Sequence, residues 1–110
     1  MNNVKSKVAL VRCFSYQQEE VEQALAKGLA LLGGFSTIFS AKPPAASTDD
    51  AAKPLALDSR LILKPNLLAK TDPDKACTTH PAVFHAVGKA LQEAGYTNLK
   101  YGDSPGNPMI

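Results

Sequence analysis

The most constraining feature of this sequence is a short apolar run that ends in a lysine, a proline and an asparagine, Leu61-Ile62-Leu63-Lys64-Pro65-Asn66. Three consecutive aliphatic residues are typical of a strand that is buried on both faces, as in a parallel sheet. Because Pro65 has no N–H for a ladder, we expect this strand, over residues 59–64, to end near Lys64. Lys64 and Asn66 would then lie at the carboxyl end of a central strand, where open α/β sheets bind ligands.

The part of the chain before this run predicts one strand and one helix. Residues 7–13 are mostly apolar and include two valines, which favours a strand. Ser15 and Gln18 have the S-x-x-Q spacing of a capping box, so a helix should begin at about Tyr16. Gly33-Gly34 should end that helix, with one glycine in the left-handed conformation.

The part after the run predicts a second helix and a last strand. Proline is favoured at the first helical position, so Pro81 makes His80 the expected N-cap. Gly95 should end this helix, and residues 98–101 should form a short strand. The order is therefore β-α-β-α-β, and right-handed crossovers make the sheet parallel, which is an α/β fold.

One segment interrupts this pattern. After an expected short helical turn over residues 35–39, residues 41–57 are rich in proline and alanine and have no apolar period. We interpret residues 41–57 as a flexible low-complexity loop within a single α/β domain that spans residues 1–110.

The topology places the strand-exit loops and the start of the second helix at one edge of the sheet, which collects the candidate site residues. The catalytic candidates are Lys64, His80 and Asp103, and the ligand-binding candidates are Asn66, Thr79, Ser104 and Gly106. A lysine at this place could bind an anion or act as a base, and a histidine or aspartate could transfer a proton or hold a metal. Each group also has a purely structural interpretation: a solvated lysine, an N-cap, or a type I turn built by Asp-Ser-Pro-Gly.

Composition excludes several classes of function. The chain has 110 residues, 45% of them hydrophobic, and a net charge of +2, with no basic stripe, so nucleic acid is not an expected partner. Its two cysteines, Cys13 and Cys77, are too far apart in sequence to form a zinc or iron–sulfur motif, so we assign no metal and no cofactor to this chain. The absence of a signal-like or membrane-spanning apolar run predicts a cytoplasmic protein with no membrane partner.

Four segments together resemble the start of the bacterial and archaeal "domain of unknown function 362" family. They are residues 8–13 (VALVRC), 63–68 (LKPNLL), 78–83 (TTHPAV) and 102–106 (GDSPG). The resemblance implies a longer protein, because relatives often carry a C-terminal ferredoxin-like segment with iron–sulfur clusters. The corresponding cysteine runs are absent here. We therefore expect the chain to be the N-terminal fragment of a larger three-layer domain.

Three functions follow as hypotheses. The first is part of a redox-linked enzyme that acts on a small anionic substrate. The second is a non-catalytic binding or scaffold domain of an iron–sulfur protein, and the third is an inactive truncated fragment. Three strands and two helices cover their apolar faces poorly, so the sheet should be completed by a missing C-terminal part or by self-association.

Overall fold

The computed structural model of the chain describes residues 6–40, 54–66 and 78–102. These residues form three helices and a two-stranded sheet. The elements are α1 (Gln18–Leu31), α2 (Gly34–Ser40), β1 (Leu61–Leu63), α3 (Pro81–Glu93) and β2 (Leu99–Tyr101). Strands β1 and β2 are parallel, so the predicted α/β class with a parallel sheet is confirmed.

The two strands pair with Leu61 opposite Leu99 and Leu63 opposite Tyr101. Within β1, the half-buried Leu61 and Leu63 alternate with Ile62, of which 66% is exposed. Because successive side chains of a strand point to opposite faces, one face of the sheet is covered and the other carries exposed side chains.

Helix α3 covers the face that carries Leu63. A Cβ built on Gly88 of α3 would lie 3.9 Å from Leu63 Cδ1, so the helix backbone approaches the strand closely. At the end of β2, the Tyr101 ring meets the Phe84 ring of α3 edge-on, with centroids 5.5 Å apart. The crossover between the two parallel strands therefore packs back onto the sheet, as a β-α-β unit requires.

The predicted first strand, residues 7–13, is wrong. In the described parts of the chain these residues belong to no strand, and the sheet contains β1 and β2 alone. Val8 and Leu10 are 87% and 94% exposed, whereas Ala9 and Val11 are half-buried. The alternating burial is that of a strand, but a strand also needs a neighbour whose backbone groups pair with it, and the local sequence does not encode that neighbour.

Helix α1 begins at Gln18, slightly later than the capping-box pattern predicts. The Ser15 hydroxyl accepts a hydrogen bond from the backbone N–H of Gln17 at 3.1 Å and donates to the Glu20 carboxylate at 2.7 Å. The Gln18 side chain does not close the predicted box, because its amide donates instead to the backbone carbonyl of Ala82 at 3.1 Å. A tertiary contact to α3 thus takes the place of the expected local cap.

Glycines end both long helices, as predicted. Gly33 and Gly34 follow α1 with φ of 91° and 82°, a conformation that side chains disfavour. Gly95 follows α3 with φ of 101°, and the Tyr96 N–H then donates to the carbonyl of Leu91 at 3.0 Å. This bond closes a Schellman motif, which satisfies a carbonyl that the helix end leaves unpaired.

Helix α2 confirms the predicted helical turn over residues 35–39. Its Phe35 and Phe39 rings stack at 5.6 Å between centroids. Both rings meet Tyr96 edge-on, at 6.3 and 5.4 Å. Tyr96 is 4% exposed, so α2 is fixed to the connection between α3 and β2 by three aromatic rings.

The core lies between α1 and α3. Val21, Ala82 and Ala86 are buried and in contact, and Leu25 packs against them. The alanines let the two helices approach closely, and Ala86 is 1% exposed. The predicted β-α-β-α-β order makes the two long helices separate crossovers between strands. In the structure, α1 and α3 are each other's main packing partner.

An ion pair bridges the same two helices at the surface. The Lys89 ammonium donates to the Glu22 carboxylate at 2.6 Å, with the side chains 47% and 25% exposed. The hydrogen bond from Lys89 lowers the pKa of Glu22, and the bond to Glu22 raises the pKa of Lys89. Both shifts mean that the folded protein favours the charged forms of the two side chains. Because solvent screens exposed charges, the contribution of the pair to stability is modest.

Candidate functional site

The exit of β1 is joined directly to the start of α3. The Asn66 N–H donates to the Thr79 hydroxyl at 2.8 Å, and the Thr79 N–H donates to the Asn66 carbonyl at 2.9 Å. This reciprocal pair lies at the carboxyl end of β1, the edge at which parallel sheets bind ligands. Residues that are 13 positions apart in sequence are thereby held side by side.

Lys64 and Asn66 flank Pro65 and point their polar groups at each other. The Lys64 ammonium donates to Asn66 Oδ1 at 3.3 Å, and both side chains are exposed. Pro65 fixes its own φ and restricts the residue before it, which limits the directions that the Lys64 side chain can take. A positive charge is therefore carried on a constrained backbone at the sheet edge.

His80 is the N-cap of α3, as predicted. Its Nδ1 accepts a hydrogen bond from the backbone N–H of Ala82 at 3.1 Å, and Pro81 occupies the first helical position. An accepting Nδ1 carries no proton, so the ring proton belongs on Nε2. Acid–base chemistry at His80 would have to use Nε2, because Nδ1 already serves the helix.

Tyr16 is a member of the site, although it was not among the predicted site residues. Its ring stacks on the His80 ring with centroids 3.8 Å apart and planes 2° from parallel. The bond from Gln18 to the Ala82 carbonyl fastens the start of α1 to the same turn of α3. Gln18 and Ala82 are 64 residues apart, so no local pattern could have predicted this contact.

A groove of about 490 Å³ opens beside the stacked rings. It lies between the segment that precedes α1, α1 itself and the first turn of α3. Five apolar side chains line it together with the Cys13 thiol, the Ser15 hydroxyl and the Tyr16 phenol; the apolar ones are Phe14, Val21, Ala24, Leu25 and Val83. Cys13 is exposed, and its thiol donates to the Ser15 carbonyl at 3.2 Å.

Four of the seven predicted site residues meet at this edge: Lys64, Asn66, Thr79 and His80. Asp103, Ser104 and Gly106 lie outside the described residues. The Gly102 N–H donates to the Leu63 carbonyl at 3.2 Å, so the chain leaves β2 beside the end of β1. The chemical role of each residue stays a prediction.

The described ranges contain neither a metal-binding cluster nor a membrane-spanning helix. Among residues 6–40, 54–66 and 78–102, no group of three His, Cys, Asp or Glu side chains is arranged to hold a metal ion. None of the helices in those ranges is long and apolar enough to cross a bilayer. Cys77 lies outside the described residues.

Comparison with known proteins agrees with the sequence motifs. Residues 61–109 match the model of the "Domain of unknown function (DUF362)" family. The chain is also similar to the thylakoid-associated protein sll1697 of Synechocystis sp., with 36% identity over 102 residues, 93% of this chain and 26% of the relative. The chain thus spans about a quarter of that relative's length. No solved structure matches it. This match over residues 61–109 confirms the resemblance to the domain of unknown function 362 family that the motifs predicted.

Proposed function

We propose that this chain supplies an anion-binding site to an enzyme of the DUF362 family. The site is the edge formed by Lys64, Asn66, Thr79 and His80, and the substrate is a small molecule with a carboxylate or phosphate group. The observation that carries the proposal is the hydrogen-bonded joint between Asn66 and Thr79, which holds a lysine beside the N-terminus of α3.

The physical basis is the positive potential at this edge. Lys64 brings a full charge, and the first turn of α3 adds the positive end of a helix dipole. Both are oriented before a ligand arrives, because Pro65 restricts the lysine backbone, Asn66 accepts a bond from its ammonium group, and His80 caps the helix. A preorganised site loses little conformational entropy on binding, which favours a small anion.

The redox link and the location are further parts of this proposal. The redox link has its support in the resemblance, since family members often carry iron–sulfur segments beyond the region matched here. A cytoplasmic location stays a prediction. The thylakoid association in the name of the Synechocystis relative makes attachment to a membrane surface the alternative, and fractionation of source cells would distinguish the two.

The experiment that tests the site is a titration with inorganic phosphate and with acetate, followed by NMR of the backbone amides. Lys64→Met should weaken binding of both anions about tenfold or more, because one charge-assisted hydrogen bond contributes roughly 1.5–3 kcal/mol. The largest shifts should occur at the amides of Asn66 and Thr79.

Lys100→Met is the matched control, since Lys100 is an exposed lysine of β2 and lies opposite Ile62 in the sheet. It removes the same charge from a different face and should leave both affinities unchanged. Equal losses in the two variants would mean that the anions respond to net charge, and the proposed site would be rejected.

A non-catalytic scaffold is the second candidate, and one observation favours it. The polar groups of the edge already satisfy one another: His80 Nδ1 caps α3, and Asn66 pairs with Thr79. An enzyme should lose turnover with Lys64→Met or Asp103→Asn while the protein stays folded. A scaffold should keep its partner binding in both variants.

A further inference from the structure

The groove beside Tyr16 has a mostly apolar lining. Of its three polar side chains, Cys13 and Ser15 bond within their own segment: the Cys13 thiol donates to the Ser15 carbonyl, and the Ser15 hydroxyl bonds Gln17 and Glu20. The third is the Tyr16 phenol, and the other five lining side chains are apolar, among them Leu25 and Val83. A strongly polar molecule would lose its water here and gain few partners, whereas an apolar one gains by burial.

The groove and the anion site are connected by an unbroken series of contacts. Tyr16 lines the groove and stacks on His80. His80 follows Thr79, which is paired with Asn66, and Asn66 accepts the bond from Lys64. An apolar groove and the positive charge of Lys64 therefore lie at the two ends of one series of contacts, which runs through Asn66, Thr79 and the His80–Tyr16 stack.

From this juxtaposition we infer that the ligand is an amphipathic anion, with a carboxylate or phosphate head at Lys64 and a hydrocarbon or aromatic body in the groove. The inference rests on the proposed anion site and narrows its substrate class. The volume of about 490 Å³ is within the range of pockets that take small organic molecules. Tyr16 lies between the places of the ligand's head and body, since it lines the groove and stacks on His80.

A chain-length series tests the inference. The probes are acetate, butanoate, hexanoate and octanoate, titrated as monomers into the protein, with octanamide as the uncharged counterpart of octanoate. Affinity should rise up to about fourfold for each methylene buried, which is the ratio that corresponds to roughly 0.8 kcal/mol. Octanamide should bind at least about tenfold more weakly than octanoate, because it lacks the charge that Lys64 recognises.

A variant that fills the groove separates its effect from that of the charge. Ala24 lies in α1 and lines the groove, so Ala24→Leu should remove most of the chain-length dependence and leave acetate binding unchanged. Ala30→Leu is the matched control, an exposed position of the same helix outside the groove lining. Both variants insert a good helix former, so both should fold.

The outcomes distinguish failure of the inference from failure of the site on which it rests. Acetate binding that depends on Lys64 but shows no rise with chain length would overturn the amphipathic ligand and keep the anion site. Chain-length dependence that is unchanged in Lys64→Met would show an apolar groove without a head-group site, which also overturns it. Loss of acetate binding altogether would remove the anion site itself, and the inference with it.

A free molecule and a lipid surface share this chemistry, so a second arm separates them. Vesicles of phosphatidylcholine doped with a long-chain fatty acid are sedimented with the protein. Saturable octanoate binding without sedimentation supports a free ligand. Sedimentation that depends on Lys64 and is lost in Ala24→Leu supports a lipid as the source of the same head and body. Sedimentation that is unchanged in Lys64→Met and in Ala24→Leu counts against a free ligand and against a lipid at this site.

Discussion

The two faces of the β1–β2 sheet have opposite surroundings, although they are built from adjacent residues. Leu63 packs towards Gly88 of α3, whereas the neighbouring Ile62 is 66% exposed. Val8 and Leu10 of the segment before α1 add two more strongly exposed apolar side chains. The same aliphatic residue types are thus half-buried on one face and exposed on the other.

The difference shows what determines burial in this chain. The covered face is close to α3, where Gly88 lets the helix backbone approach Leu63, and where Ala82 and Ala86 lie against α1. No described helix covers the face that carries Ile62. Cover from the remainder of a longer family member, or from a second copy of the chain, stays a prediction, and exposed apolar surface of this kind commonly marks such a contact.

The largest expected effect comes from truncating the covered face. Leu63→Ala should lower the free energy of unfolding by about 1–3 kcal/mol, less than the roughly 2–5 kcal/mol of a fully buried leucine because Leu63 is half-buried. Ile62→Ala, one residue away, should change it by less than about 0.5 kcal/mol. Urea unfolding followed by circular dichroism measures both.

Equal losses in Leu63→Ala and Ile62→Ala would contradict the asymmetry between the faces. A loss in Ile62→Ala that grows with protein concentration would instead show that a second copy covers the open face. Sedimentation velocity on the same samples distinguishes these results, since self-association changes the sedimentation coefficient and a monomer keeps it.

A smaller loss of stability is expected at His80, which caps α3 beside the candidate site. His80→Ala removes the N-cap of α3 and the ring that stacks on Tyr16, and should cost about 1 kcal/mol or somewhat more. His80→Asn keeps a capping oxygen and should recover most of the loss. If His80→Asn is as unstable as His80→Ala, the Tyr16 stack and not the cap stabilises this end of the helix.

The smallest effect concerns the ion pair on the outside of the helix pair. Since Lys89 lowers the pKa of Glu22 in the folded protein, the pair stabilises the fold at neutral pH, and this stabilisation is lost as the pH falls through the lowered pKa. The raised pKa of Lys89 gives the converse limit, with the stabilisation lost as the pH rises through it.

In Glu22→Gln, the free energy of unfolding should therefore fall slightly less steeply as the pH is lowered. Urea midpoints across a pH series measure this. Asp58→Asn, which removes a carboxylate outside the pair, should leave that side unchanged. Added salt should reduce the difference between wild type and Glu22→Gln, because exposed charges are screened. A difference that salt does not alter would argue against the ion pair as its cause.

The sequence predicted those features that depend on neighbouring residues. Pro65 marked the end of β1, Pro81 marked His80 as the cap of α3, and Gly95 marked the end of that helix. Each rests on a backbone property of one residue type, a missing N–H or a tolerated positive φ, and such properties act locally.

The features that the sequence did not predict depend on contacts between distant residues. The strand over residues 7–13 needed a partner that the apolar pattern does not specify. The amide of Gln18 bonds Ala82 and not Ser15, because α3 lies close enough to offer a carbonyl. Tyr16 entered the site through its stack on His80, and nothing in its neighbourhood along the chain distinguishes it from a surface tyrosine.

The distribution of tyrosines has an optical consequence. The chain has three tyrosines and no tryptophan, so its near-ultraviolet absorption and its fluorescence come mainly from these three phenols. Tyr16 lies against an imidazole, Tyr96 between two phenylalanine rings, and Tyr101 at the edge of a third. Each chromophore therefore reports on a different junction of the molecule, and single Tyr→Phe replacements would assign the signal of each without any added label.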